Sequence, residues 1–323
     1  MSNAADRRAT ALGATGVVVG HTCQQQGFHW SPATPAGSFV PSRPVLGEEV
    51  RPLAVDAAGN AVGLVAPAGH TGALQAFRSS AGEMTRLPPL VDGLAAMAFD
   101  LNEGGTIVGL ASPRAETATA VYWQDGEIHR LDEVDELGGN VAGATAVNEG
   151  GTIVGYANTA DIEFLQAFRW AGPGSFEVLP PLVEMGLGDA ADVNEAGVTV
   201  GRADVPDESG WPENRAVYWD EQGAIHELPR LYETPEVQAL AINDRGVIVG
   251  YEQTPEFVTT EARLWVDGEV HDLQGLMPDV PEEYRLAVGA DVNDRDEVLA
   301  HAFVEDGGPI RLVTLLLRPD LSR

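Results

Sequence analysis

One recurring stretch decides what this chain can fold into: Ala144 to Trp170, ATAVNEGGTIVGYANTADIEFLQAFRW. It holds a short β-prone run, a tight Asn148-Glu149-Gly150-Gly151 turn, a second β-run ending in Val154-Gly155, a variable loop and a third run ending in Trp170. The run FEVLPPL follows as an outer fourth. Aligned on the turn, the copies carry Gly16, Gly59, Gly105, Gly151, Gly197, Gly246 and Asp296, spaced by 43, 46, 46, 46, 49 and 50 residues. Four residues later stand Gly20, Gly63, Gly109, Gly155, Gly201, Gly250 and Ala300. The third run ends in Trp30, Ser79, Trp123, Trp170, Trp219 and Trp265.

A period in the forties with four short runs fits a propeller blade better than a helical solenoid. The repeats, at approximately 9–50, 51–94, 95–139, 140–186, 187–234, 235–286 and 287–319, predict an all-β, seven-bladed propeller of four-stranded antiparallel blades. No linker interrupts them, so residues 1–323 are read as one domain. The seventh repeat lacks an evident fourth run; its blade is expected either to be three-stranded or to close by pairing with Ser2 to Asp6 at the N-terminus. In the turn, Asn or Asp bonds the following backbone and Gly takes the positive φ that closes the hairpin. The glycine after each valine run predicts close approach of backbones near the propeller axis. The tryptophans are expected between neighbouring blades.

At these residues the chain resembles the HAF-repeat proteins, known as probable extracellular repeats, whose unit reads approximately A-x-A-I-N-x-x-G-x-V-V-G, a spacer, then H-A-F-x-W. The matching stretches are AVNEGGTIVG with QAFRW, DVNEAGVTVG with RAVYW, and AINDRGVIVG with EARLW. The resemblance covers most of the chain and implies a scaffold more than a chemistry. The histidine of the family pattern is replaced here by Gln26, Gln75, Thr119, Gln166, Arg215 and Glu261.

Charge narrows the partners. Asp plus Glu number 49 against 19 basic residues, all of them arginine, for a formal net charge of −30. Such a chain repels phosphate backbones and anionic lipid, which argues against nucleic-acid and membrane partners and suits a cationic ligand, a basic partner or high salt. A solubilising acidic surface explains the same numbers. The lone cysteine, Cys23, forms no intramolecular disulfide, and reads as a passive loop residue or a reactive thiol. No apolar run reaches membrane-helix length, and MSNAADRRAT lacks a signal-peptide core; the chain is expected in the cytoplasm, or secreted if a leader was trimmed. A monomer is expected.

Function is expected on the face carrying the loops between second and third strands and between blades, because these vary while the Asn-Glu/Asp-x-Gly turns do not. The position after each Val-Gly reads His21, Leu64, Leu110, Tyr156, Arg202, Tyr251 and His301, and is expected at the top of the second strand by the channel mouth. If the protein is an enzyme, His21, His301, Tyr156 and Tyr251 are its acid–base candidates. Ligand-binding candidates are Arg202, with Arg51, Asp189 and Gln238 on the innermost strands and Gln166, Arg215 and Glu261 at the replaced histidine position. Asp100, Asp192 and Asp291 share one repeat position; they would suit calcium, or else bond backbone amides between blades. Otherwise no cofactor is evident. His129, His226 and His271 recur in the outer strand and read as surface residues.

Two functions remain open at this point. One is a scaffold that binds a small molecule, glycan or protein at the channel mouth. The other is a lyase, cyclase or hydrolase using the His, Tyr and Arg groups there. No P-loop, dinucleotide fingerprint, zinc spacing or nucleophile elbow occurs.

Overall fold

The computed structural model describes residues 7–22, 26–32, 48–67, 72–81, 83–160, 165–184, 186–256 and 258–321. Cys23 and the N-terminal closing segment lie outside them. Seven antiparallel sheets follow one another along the chain, giving the all-β class of a seven-bladed propeller. Blades two to six have four strands in sequence order, the seventh has three, and the first has three among the described residues. Among the described residues, helix is confined to short segments such as Asp132–Asp135 and the 3-10 turn Leu273–Leu276. The chain divides into two compact units: Ala9–Val178, and Leu179–Arg323 with Met1–Arg8.

The turn chemistry is as the sequence requires. Gly16, Gly59, Gly105, Gly151, Gly197 and Gly246 have φ between 77° and 85°, and Asp296 follows them at 55°. Within the turns of blades three to seven the Asn Oδ1 accepts the amide four residues on, as Asn148 does from Thr152 at 2.8 Å and Asn194 from Val198 at 3.0 Å, and in blade two Asp56 Oδ1 accepts from Asn60 at 2.7 Å. Asp296 tolerates the left-handed conformation, and its carboxylate reaches the preceding blade, accepting from Asn243 Nδ2 at 3.0 Å and pairing with Arg245.

The second glycine meets a closely approaching backbone, set by a bulge within its own blade. Blades two to six each shift register in the first strand, between Ala98 and Asp100 in blade three and between Ala190 and Asp192 in blade five. The shift aims a first-strand carbonyl at the glycine opposite. A Cβ at Gly109 would lie 2.0 Å from Met97 O, and one at Gly250 would lie 1.9 Å from Gln238 O, so only glycine fits.

Core clusters join consecutive blades. Trp123, 1% exposed, packs with Ala54, Val62 and Ala76 of blade two, and Trp265, also 1% exposed, with Val200 and Ala216 of blade five. Three of the indoles also donate to a main-chain carbonyl in the segment leaving the preceding fourth strand: Trp123 to Pro88 at 2.8 Å, Trp219 to Pro180 at 2.8 Å and Trp265 to Pro229 at 2.7 Å, while Trp170 donates to Glu133 Oε2 at 3.1 Å. Where blade two has Ser79, a pocket of about 220 Å³ opens between blades one and two, lined by Phe28, His29, Pro52 and Ala61.

Candidate functional site

The two sets of candidate positions are cross-strand partners. Asp189 faces Arg202, Gln238 faces Tyr251, Val288 faces His301, Gly143 faces Tyr156 and Arg51 faces Leu64. In blades five, six and seven the position after Val-Gly lies short of the strand end, as the fourth residue of Thr199–Pro206, Ile248–Gln253 and Val298–Val304, whereas in blades one and three it is one residue from the end of Val18–Thr22 and Ile107–Ala111. Continued pairing carries these strands further. In blade five it runs through Val205 and Glu213.

Blades five and six bring together the core of the expected set. Arg202 Nε donates to Asp189 Oδ2 at 2.7 Å, with the two side chains 36% and 25% exposed. Burial pushes the Asp204 carboxyl up, against the pull of Arg202. Tyr251 Oη donates to Glu236 Oε1 at 2.8 Å; burial and then this bond push its pKa well above the usual tyrosine value, with Arg202 partly opposing. His301 Nδ1 lies 3.1 Å from Thr314 Oγ1, and burial, reinforced by the Arg8 charge, holds its pKa below the usual value. The shift of Tyr251 keeps its phenol protonated, and that of His301 favours the neutral imidazole.

His21, Tyr156, Arg51 and Gln166 stand in blades one to four, and their convergence with the groups of blades five to seven stays an expectation from the sequence. His21 pairs with Gly27 and Gln166 with Ala157 across their strands. Tyr156 lies across its own first strand, where a Cβ at Gly143 would be 2.9 Å from the ring. Arg51 Nη2 donates to Glu49 Oε2 at 3.2 Å.

The replaced-histidine positions of blades five and six are built into ion-pair networks. Arg215, 8% exposed, pairs with Glu213 and, at 3.4 Å, with Glu227. Glu261 accepts from the fully buried Arg263 at 2.9 Å and from Tyr232 Oη at 3.1 Å, while Arg263 Nε also reaches buried Glu252 at 2.7 Å. In the aspartate trio, Asp100 accepts the Val147 amide of the next blade at 2.9 Å and Asp192 the Ile242 amide at 2.9 Å. Asp291 accepts from Val292 at 2.8 Å. The first two are the inter-blade amide bonds given above as the alternative to calcium, whereas the third stays within its own blade; among the described residues no cluster of three or more His, Cys, Asp or Glu side chains is arranged to hold a metal. His129 and His226 stack on Tyr122 and Tyr218, the residues opposite them in the third strand.

A groove of about 580 Å³ lies between blades six and seven. Its walls come from the variable-loop end of both blades: Glu261 and Asp272 of blade six, the connection carrying Met277 and Glu282, and Tyr284 and Phe303 of blade seven. Of the sequence candidates, Glu261 alone lines it. The second-to-third-strand loops of blades five, six and seven also carry the three most exposed large apolar residues among those described: Trp211 at 73%, Val258 at 80% and Ile310 at 68%. Neither feature stands at a repeat position of the second strand; in the sequence, Trp211 and Val258 are apolar residues inside polar loops.

The fold class is shared with solved structures. The chain is similar to the β-propeller domain of the Trilobed protease from Pyrococcus furiosus, with TM-score 0.58 and 12% identity over 100% of both chains. It is similar also to a puromycin hydrolase mutant complexed with PGG (TM-score 0.59, 15% identity, 97% of this chain and 52% of that one). A puromycin-hydrolyzing peptidase of Mycobacterium tuberculosis gives TM-score 0.56 and 13% identity over 93% and 49%. The chain thus spans about half the length of these two proteins. At such identities the likeness speaks to fold alone. No family model and no curated protein matches the chain.

Proposed function

We propose that this protein is a ligand-binding propeller that holds a small molecule on its variable-loop face, in the groove between blades six and seven. The observation that carries this is the groove, whose volume of about 580 Å³ falls in the range of small-molecule sites and whose apolar floor is rimmed by a few polar groups. Against the enzymatic alternative stand the raised pKa of Tyr251 and the engagement of its hydroxyl with Glu236 and of Arg202 with Asp189. The motifs AVNEGGTIVG and QAFRW support reading the scaffold as a HAF-repeat protein, and the charge of −30 supports a partner that is neither nucleic acid nor membrane.

A thermal-shift screen of aromatic amines, alcohols and carboxylates tests this, with the best probe then titrated against variants. Tyr284→Ser and Ile310→Ser should each weaken binding by up to about tenfold, whereas Arg202→Ala should leave it unchanged. The reverse pattern moves the site to the Asp189–Arg202–Tyr251 cluster.

A further inference from the structure

Resting on that reading, we propose that the ligand of the groove is an organic cation, an ammonium or guanidinium group carried on an apolar and preferably aromatic body. The rim holds Glu261, Asp272, Glu282 and Glu305, and its one lining cation, Arg285, sits half-exposed 3.6 Å from Glu305. Behind the blade-six wall, Arg263 is divided among Glu252 at 2.7 Å, Glu261 at 2.9 Å and Asp272 at 3.5 Å. Five carboxylates thus face two guanidiniums, and three negative charges are left over. Glu282 is exposed and has no hydrogen bond or ion pair among the described residues.

Ion pairs and a hydrogen bond hold the blade-six wall in place. Arg263 is fully buried, the Tyr232 ring lies 5.1 Å from its guanidinium carbon, and Tyr232 Oη bonds Glu261, so this carboxylate is held before anything binds. Held charges lose little freedom on binding a counter-charge, which is where preorganised sites gain affinity. Tyr284 and Phe303 are half-buried around the buried Met277 and Leu286, a floor that takes a flat apolar body and whose ring faces attract a cation. The same leftover carboxylates repel an anionic competitor, and an apolar floor offers nothing to a hydrated metal ion. The overall charge draws cations toward the surface before contact.

Calorimetric titration of the full chain with phenethylammonium, 2-phenylethanol and 3-phenylpropanoate at low and high salt decides the matter. The amine should bind about tenfold or more tightly than the alcohol, with the difference shrinking in high salt, and the acid should bind most weakly. Glu282→Gln, at an exposed position outside the Arg263 network, should cost the amine about threefold to tenfold and leave the alcohol unchanged. Equal binding of amine and alcohol, or tighter binding of the acid, overturns the cation assignment while leaving the groove as a site. Binding of none of the three at millimolar concentration overturns the groove reading as well.

Discussion

Asn102 and Asn148 occupy the same place in consecutive repeats, and the side-chain amide of the first donates to the main-chain carbonyl of the second at 3.0 Å. The relation recurs from Asn194 to Asn243 at 3.3 Å and from Asn243 to Asn293 at 3.0 Å. Beside it runs a second ladder, in which the Glu103 amide donates to the Glu149 carboxylate, Glu195 to Asp244 and Asp244 to Asp294. The Asn-acid pair of the turn thus closes its own hairpin and also ties neighbouring blades together.

Separating those roles is direct. Asn102→Asp keeps the oxygen that accepts from Thr106 but loses the donor to Asn148, and should cost about 1–2 kcal/mol in urea denaturation, more if the two buried oxygens face each other. Asn102→Ala loses both bonds and should cost about 2–4 kcal/mol. Equal stability of Asn102→Asp and wild type would mean the inter-blade bond contributes nothing.

Tryptophan placement gives a matched pair of substitutions. Trp123→Ala should cost about 3–5 kcal/mol, from the lost burial and the cavity between blades two and three. Ser79→Trp supplies the side chain that blade two lacks, facing a pocket of about 220 Å³, and should raise the melting temperature. A lowered melting temperature for Ser79→Trp would show that the pocket does not correspond to the indole sites of the other blades.

Asp192 should leave a signature in the pH dependence of stability. Burial pushes its carboxyl up to about 6, although the Ile242 and Val193 amides favour its charged form. With the folded value above the unfolded one, its contribution is fully present below about pH 4 and is lost as pH rises through about 6. Between pH 4 and 7 wild type should therefore lose stability relative to Asp192→Asn. Parallel pH profiles for the two proteins would contradict the shift.

Salt and calcium should act alike. A net charge of −30 repels itself, so the melting temperature should rise with sodium chloride. Asp100, Asp192 and Asp291 spend carboxylate oxygens on backbone amides, so calcium should add nothing beyond its ionic strength. An extra rise with calcium would restore the metal reading of the trio.

What could be read in the sequence is what each repeat does alone. The positive-φ turn from Gly16 to Asp296 is an intrablade requirement with a fixed offset to the second glycine, and the tryptophan recurs once per repeat at the third-strand end; both stand in the structure where the repeat put them, although the indole packs on the preceding blade. The Asp189–Arg202 pair was half legible: both residues were named, but their pairing depends on a register shift at Ala190 that no spacing rule reports. The groove was not legible, because its walls join late strands of one repeat to early strands of the next, and Glu261 and Phe303 are 42 residues apart in sequence.

Hydrogen exchange of the full chain with and without saturating phenethylammonium tests the central claim most directly, since it asks where a ligand sits. The account predicts slowed exchange at amides in 277–286 and 303–310, around the groove, with those of 188–206 unaffected. Protection concentrated at 188–206 and 237–253, with none around the groove, would contradict it.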